Sequence, residues 1–115
     1  MYRESLTAIA VGNFDGFHLG HQELLKRLRM HADHRRLTPG ALTFKPNPKV
    51  YFGRAIPLIF TDSQKEEVLK KQPIDRVIFL SFSEVVRLSA EDFIRRILIG
   101  KFGMRALVVG ENFRF

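Results

Sequence analysis

The sequence predicts an α/β fold, a parallel sheet with helices packed on both of its faces. Short apolar runs alternate along the chain with segments of helical period, in the order strand, helix, strand, helix, strand, helix, strand. Glycine, histidine, asparagine, lysine and proline gather at the ends of the apolar runs, while the opposite ends carry ordinary turn residues. In such a sheet ligands bind outside the carboxyl ends of the strands, at a topological switch point.

Leu6 to Val11 is apolar and partly β-branched and stops at Gly12, which reads as a buried strand. From Leu19 the period changes. Leu24, Leu25, Leu28 and Ala32 share one helical stripe, so a helix is expected to about His34, ending before a Thr38-Pro39-Gly40 turn. A second strand is expected over Ala41 to Phe44, followed by a stiff loop at Lys45-Pro46-Asn47-Pro48, where two backbone donors are missing. Thr61 and Ser63 are candidate N-caps of a helix that must end near Gln72, because Pro73 follows. Arg76 to Phe82 reads as a third strand. Ser89 opens a capping-box helix with Phe93, Ile94, Ile97 and Leu98 on its inner face and Gly103 at its end, and Ala106 to Val109 is the fourth strand.

Composition narrows the function. With 115 residues and 45% hydrophobic content, one core needs no disulfide or metal staple. The absence of cysteine excludes thiolate zinc sites and cysteine nucleophiles and fits a reducing, cytoplasmic setting. The apolar run at Leu6 to Val11 is far short of the roughly 20 residues of a membrane span, so no membrane partner is expected. The net charge of +7 attracts polyanions. Its carriers, Lys26, Arg27, Arg29, Arg35, Arg36, Lys70, Lys71, Arg95 and Arg96, form no single stripe, so nucleic acid is not the expected partner. Solvated helix faces or an attraction for phosphorylated small molecules remain.

The most informative segment is Gly12-Asn13-Phe14-Asp15-Gly16-Phe17-His18-Leu19-Gly20-His21. Glycines at 12, 16 and 20 permit close main-chain approach where a strand turns into a helix, and a helix N-terminus is an anion site. His18 and His21, three apart, can face the same anion from the first turn. The segment has neither the Gly-Lys-Ser/Thr of a P-loop nor a G-x-G-x-x-G fingerprint. A zinc site on the two histidines and Asp15 is the weaker alternative. His31 and His34 repeat the spacing near the end of the helix, where a cation is favourable, and read as surface residues.

This segment resembles the G-x-F-D-G-x-H-x-G-H signature of the nucleotidylyltransferase superfamily, and within it the FMN adenylyltransferase (FAD synthetase) module of bacterial bifunctional riboflavin kinase/FMN adenylyltransferases. Thr43-Phe44-Lys45-Pro46-Asn47-Pro48 resembles that family's T-F-x-P-H-P, Val50-Tyr51-Phe52 its following aromatic stretch, and Val109 to Phe115 its V-G-x-[DN]-F-x-F. Two departures stand out: Asn47 replaces the family histidine, and the family's I-S-S-T-x-x-R segment, the last part of its sheet and the riboflavin kinase barrel are not in these 115 residues.

The resemblance implies a Rossmann-like nucleotidylyltransferase fold, truncated at its C-terminal side, that transfers AMP from ATP to FMN to give FAD and pyrophosphate. It assigns His18 and His21 to the ATP phosphates as catalytic donors, and Gly12, Asn13, Phe14, Asp15, Gly16 and Gly20 to ATP binding. Mg²⁺ is expected as the ATP complex, with Asp15 either orienting the turn or helping to hold the metal. Pro46, Asn47, Pro48, Phe52 and Asn112 are implied flavin contacts, Phe52 being equally a core candidate, as is Phe44. Lys45, Lys49 and Arg54 read first as solvated charges. The partial domain is expected to be inactive or nearly so by itself. The competing readings are a nucleotidylyltransferase for another phosphorylated substrate and a non-catalytic nucleotide- or RNA-binding module.

Overall fold

The computed structural model describes residues 6–15, 19–45, 48, 53 and 61–110. In chain order these form β1 (Thr7–Val11), α1 (Leu19–Arg35), β2 (Thr38–Lys45), α2 (Asp62–Lys70), β3 (Arg76–Ser81), the single turn α3 (Phe82–Val85), α4 (Ala90–Asp92), a π-helix π1 (Phe93–Lys101) and β4 (Met104–Val109). The four strands make one sheet in the order β3-β2-β1-β4, with every neighbouring pair parallel. The α/β expectation is borne out.

Side-chain size decides which helix covers which face. On one face Ala8, Ala10 and Ala41 leave shallow relief, and Leu25, Leu28 and Ala32 of α1 and Leu69 of α2 are buried against it. The other face carries Ile9, Val11, Leu42, Phe44, Ile78 and Leu80, which pack with Val85, Phe93, Leu98 and Met104. β1, buried throughout, therefore reads as a continuous apolar run instead of an alternation. Phe44 is core, 5% exposed, with its ring edge-on to Phe82 and tilted against Phe93. At the amino end of β1, Thr7 donates from its amide to Gly103 O and from its hydroxyl to Phe102 O, closing β1 onto the loop before β4.

Phe82, expected to end the third strand, instead opens α3, and two further elements differ from expectation. β2 begins at Thr38, so Thr38-Pro39-Gly40 is strand and not a turn. The turn is made earlier, by Arg36 at φ 57, with Leu37 N–H donating to Ala32 O and Arg36 N–H to Asp33 O in a Schellman closure without glycine. Pro39 is tolerated because its missing donor would face the β3 side at the very start of that ladder, where its carbonyl accepts from Asp75 N–H at 2.9 Å and registered pairing begins with Gly40 opposite Arg76. The helix opened by Ser89, whose hydroxyl accepts from Asp92 N–H, widens at Phe93 into a π-helix. Phe93 and Leu98, five apart, are its buried residues, a spacing that i→i−5 bonding brings to one face. Gly103 at φ 63 ends it.

The basic surface residues behave as solvated helix faces. Arg27, Lys70, Arg95 and Arg96 pair with the carboxylate four residues earlier on their own helix, and Arg29 bridges Asp33 and Asp75. His31 and His34 are exposed, and Arg35 Nη1 lies 3.0 Å from His31 Nδ1. No helix among the described residues is long and apolar enough to cross a membrane.

Candidate functional site

The chain runs from β1 to β2 to β3 on one side and then crosses to β4 on the other side of β1. The direction of winding thus reverses beside β1, and the crevice at its carboxyl end is the switch point of the sheet. The four strands deliver Gly12 to Asp15, Lys45, Ser81 with Phe82 and Ser83, and Gly110 to that same edge.

The turn after β1 is built tightly. Gly12 N–H donates to Leu42 O at 3.1 Å and so extends the sheet by one bond. Phe14 takes the left-handed conformation, φ 51, and is 1% exposed. Its ring folds back over Gly12, where an added Cβ would lie 3.1 Å from the ring, so this glycine makes room for an aromatic side chain. The same ring meets His21 edge-on, centroids 5.3 Å apart at 66°. His21 stands partly buried in the first turn of α1 beside Gly20, and no acidic residue occupies that turn to offset the helix dipole.

Behind the turn lies a residue that sequence reasoning did not single out. Lys65 of α2 is 3% exposed. Its Nζ donates to Asn13 O at 2.9 Å and to Thr43 Oγ1 at 3.3 Å, and the Thr43 hydroxyl donates to the same Asn13 carbonyl at 3.3 Å. Burial pushes the Lys65 ammonium below the ordinary lysine pKa; Asp62 and Asp15 oppose that shift and Lys45 adds to it. Asp15 is thus close enough to act on the charge of Lys65. A signal existed: Lys65 falls at i−3 and i−4 from Val68 and Leu69, on the apolar stripe of α2. The capping box of Thr61 and Gln64 fixes where that helix starts: Thr61 Oγ1 accepts from Gln64 N–H, and Gln64 Oε1 accepts from Thr61 N–H.

Of the residues expected at the site, the structure brings Gly12, Asn13, Phe14, Asp15, Gly20 and His21 together around the β1 end. Asn13 Oδ1 is buried with no hydrogen-bond partner among the described residues. Lys45 is exposed, its ammonium 4.4 Å from the Phe79 ring centroid, and Pro48 is half-buried. Gly16, His18, Pro46, Asn47, Lys49, Phe52, Arg54 and Asn112 lie outside the described residues. Among the described residues no cluster of three His, Asp or Glu side chains could hold a metal ion.

The family model of FAD synthetase matches residues 2–115. The chain belongs to the FAD synthetase family. It is 36% identical over 107 residues to the bifunctional riboflavin kinase/FMN adenylyltransferase of Pseudomonas fluorescens, covering 91% of this chain and 34% of that protein. The Buchnera aphidicola (subsp. Schizaphis graminum) protein of the same name is 33% identical over 114 residues, covering 96% and 36%. The chain therefore spans about a third of the length of these curated relatives. The solved structure named macrolide-efflux protein from Streptococcus pneumoniae superposes with a TM-score of 0.80 at 26% identity, over 100% of this chain and 39% of that one.

Proposed function

We propose that the chain is a nucleotidylyltransferase domain that takes part in transferring AMP from ATP to FMN. A phosphate oxygen of FMN attacks the α-phosphorus in line; the new O–Pα bond forms as the bond to the leaving pyrophosphate breaks, giving FAD. One observation carries this reading: the Gly12 to Asp15 turn lies at the switch point of the sheet and leads toward a helix whose first turn bears Gly20 and His21 and no acid. Membership in the FAD synthetase family and the names of the relatives supply the substrates.

The chemistry asks little covalent work of the protein. Positioning and charge stabilisation dominate phosphoryl and nucleotidyl transfer, and an imidazole donor and a helix N-terminus without an acidic residue in its first turn supply both. His21, with His18, is assigned to the ATP phosphates. The buried Asn13 Oδ1 is an acceptor of the kind a substrate amino or hydroxyl group satisfies. Mg²⁺ enters with ATP as part of the substrate. Asp15 is read as orienting the turn, because its charge supports Lys65. Pro46, Asn47, Pro48, Phe52 and Asn112 are assigned to the flavin.

The test is incubation of the protein, at its full natural length, with ATP, Mg²⁺ and FMN, with FAD and pyrophosphate separated by chromatography. Equimolar FAD and pyrophosphate are expected. Pyrophosphate release that depends on another phosphorylated acceptor and not on FMN would replace this assignment.

A further inference from the structure

The function proposed above leaves Lys65 without a task, although it is the one lysine buried among the described residues. Lysine is almost never fully buried unless its charge is met, and an apolar side chain of similar volume would fill the space without that cost. The ammonium holds the Asn13 carbonyl of the turn, which it reaches both directly and through Thr43. Because the peptide unit is planar and trans, holding the Asn13 C=O also fixes the direction of the Phe14 N–H at the far side of that unit. Phe14 is the residue in the left-handed step, a conformation that persists in a bulky side chain only when its surroundings impose it. Its ring in turn is packed against His21. One connected path therefore runs from Lys65 through the Asn13 carbonyl and the Phe14 backbone to the imidazole.

We propose that Lys65 is a positioning residue for adenylyl transfer, holding the turn after β1, and with it the imidazole of His21, through the Asn13 carbonyl without touching either substrate. This rests on the function proposed above. A lysine serving only to fill the core would affect both substrates alike and would act through stability.

The test compares wild type, Lys65→Met, Thr43→Val and the double variant at full natural length, measuring kcat, KM for ATP, KM for FMN, the equilibrium Kd for MgATP and the thermal midpoint. Lys65→Met is expected to lower kcat/KM for ATP by roughly 10- to 100-fold, the scale of a small misplacement of a reacting group. MgATP binding should weaken, KM for FMN should change less than about twofold, and the thermal midpoint should not fall. Thr43→Val should act in the same direction more weakly, and the double variant should be no worse than Lys65→Met, because both groups hold one carbonyl. Wild-type MgATP affinity in Lys65→Met would overturn the proposal, as would equal losses for ATP and FMN accompanied by a lower midpoint. If Lys65→Met does not fold, Thr43→Val carries the same ATP-against-FMN comparison, and equal losses there overturn it. A wild-type protein that binds MgATP but forms no FAD would overturn the assigned reaction, whereas the binding measurements would still decide the role of Lys65.

Discussion

Replacing Gly12 by alanine probes the packing of the turn most directly. The added Cβ would stand 3.1 Å from Phe14 Cζ, 3.3 Å from Cε2 and 3.4 Å from Cε1, inside the ~3.5–4.0 Å of comfortable carbon contact. The ring must withdraw by a few tenths of an ångström, yet it is 1% exposed, packed with Ala8, Ala10, Leu25 and Leu28 and backed by His21. Overpacking of this kind costs about 1–3 kcal/mol. Gly12 is not in the left-handed region, so alanine also recovers about 0.4–1 kcal/mol by restricting the unfolded chain. The net loss is then on the order of 1 kcal/mol. For 115 residues at ~2.1 cal/mol/K each, the unfolding entropy is about 240 cal/mol/K, which converts that loss into a drop in Tm of about 4 °C. Thermal unfolding followed by circular dichroism measures it, and Phe14→Leu in the same background should show a favourable coupling because the shorter side chain yields space. An unchanged or raised Tm for Gly12→Ala, with Phe14→Leu strictly additive, would refute the close packing argued here.

Three further outcomes follow from the same geometry. His21→Ala and His18→Ala should each lower kcat by roughly 10²–10³, the scale of a lost transition-state donor, in a steady-state assay of FAD formation; unchanged turnover in both would remove them from the mechanism. Thr61→Ala removes the side-chain half of the α2 capping box, the Gln64 N–H to Thr61 Oγ1 bond, while keeping the Thr61 N–H donor, and should cost about 0.5–2 kcal/mol in urea unfolding, with a raised KM for ATP because α2 carries Lys65. The depressed pKa of Lys65 means that the unfolded chain binds the proton more readily than the native one, so stability rises with pH in the window below the ordinary lysine value of 10.5 and is lost as pH falls through it. The groups acting on that ammonium are Asp62, Asp15 and Lys45. Relative to Lys65→Met, wild type should therefore gain stability on going from neutral pH toward 10.5, and parallel pH profiles would contradict the burial argument.

Much of the fold was legible because β1, α1 and β3 obey one rule each: a buried run, a stripe at helical spacing, and an apolar segment between a proline and a polar edge. Thr38 to Gly40 misled because proline and glycine are turn residues by composition, whereas the actual turn at Arg36 is imposed by α1 docking and carries no glycine. Phe93, Ile94, Ile97 and Leu98 satisfy the α period, so no local pattern marks π1 as the wider helix whose buried residues, Phe93 and Leu98, are five apart. At the site, Gly12 and His21 were visible as residue types. The duty of Gly12 toward the Phe14 ring was not, since it depends on a left-handed phenylalanine that no local pattern marks. Lys65 was hidden because a lysine on a helix is a solvated charge until tertiary packing buries it; the strands that receive it lie far from it in sequence.

The central claim is that the turn between β1 and α1 receives the phosphates of ATP. A crystal structure of the protein with a non-hydrolysable ATP analogue and Mg²⁺ decides it. The account predicts the phosphate chain at the carboxyl edge of the sheet, over Asn13 to Asp15 and within hydrogen-bond reach of the His21 imidazole. Phosphates seated at the opposite edge, by His31 and His34 at the end of α1, would contradict it.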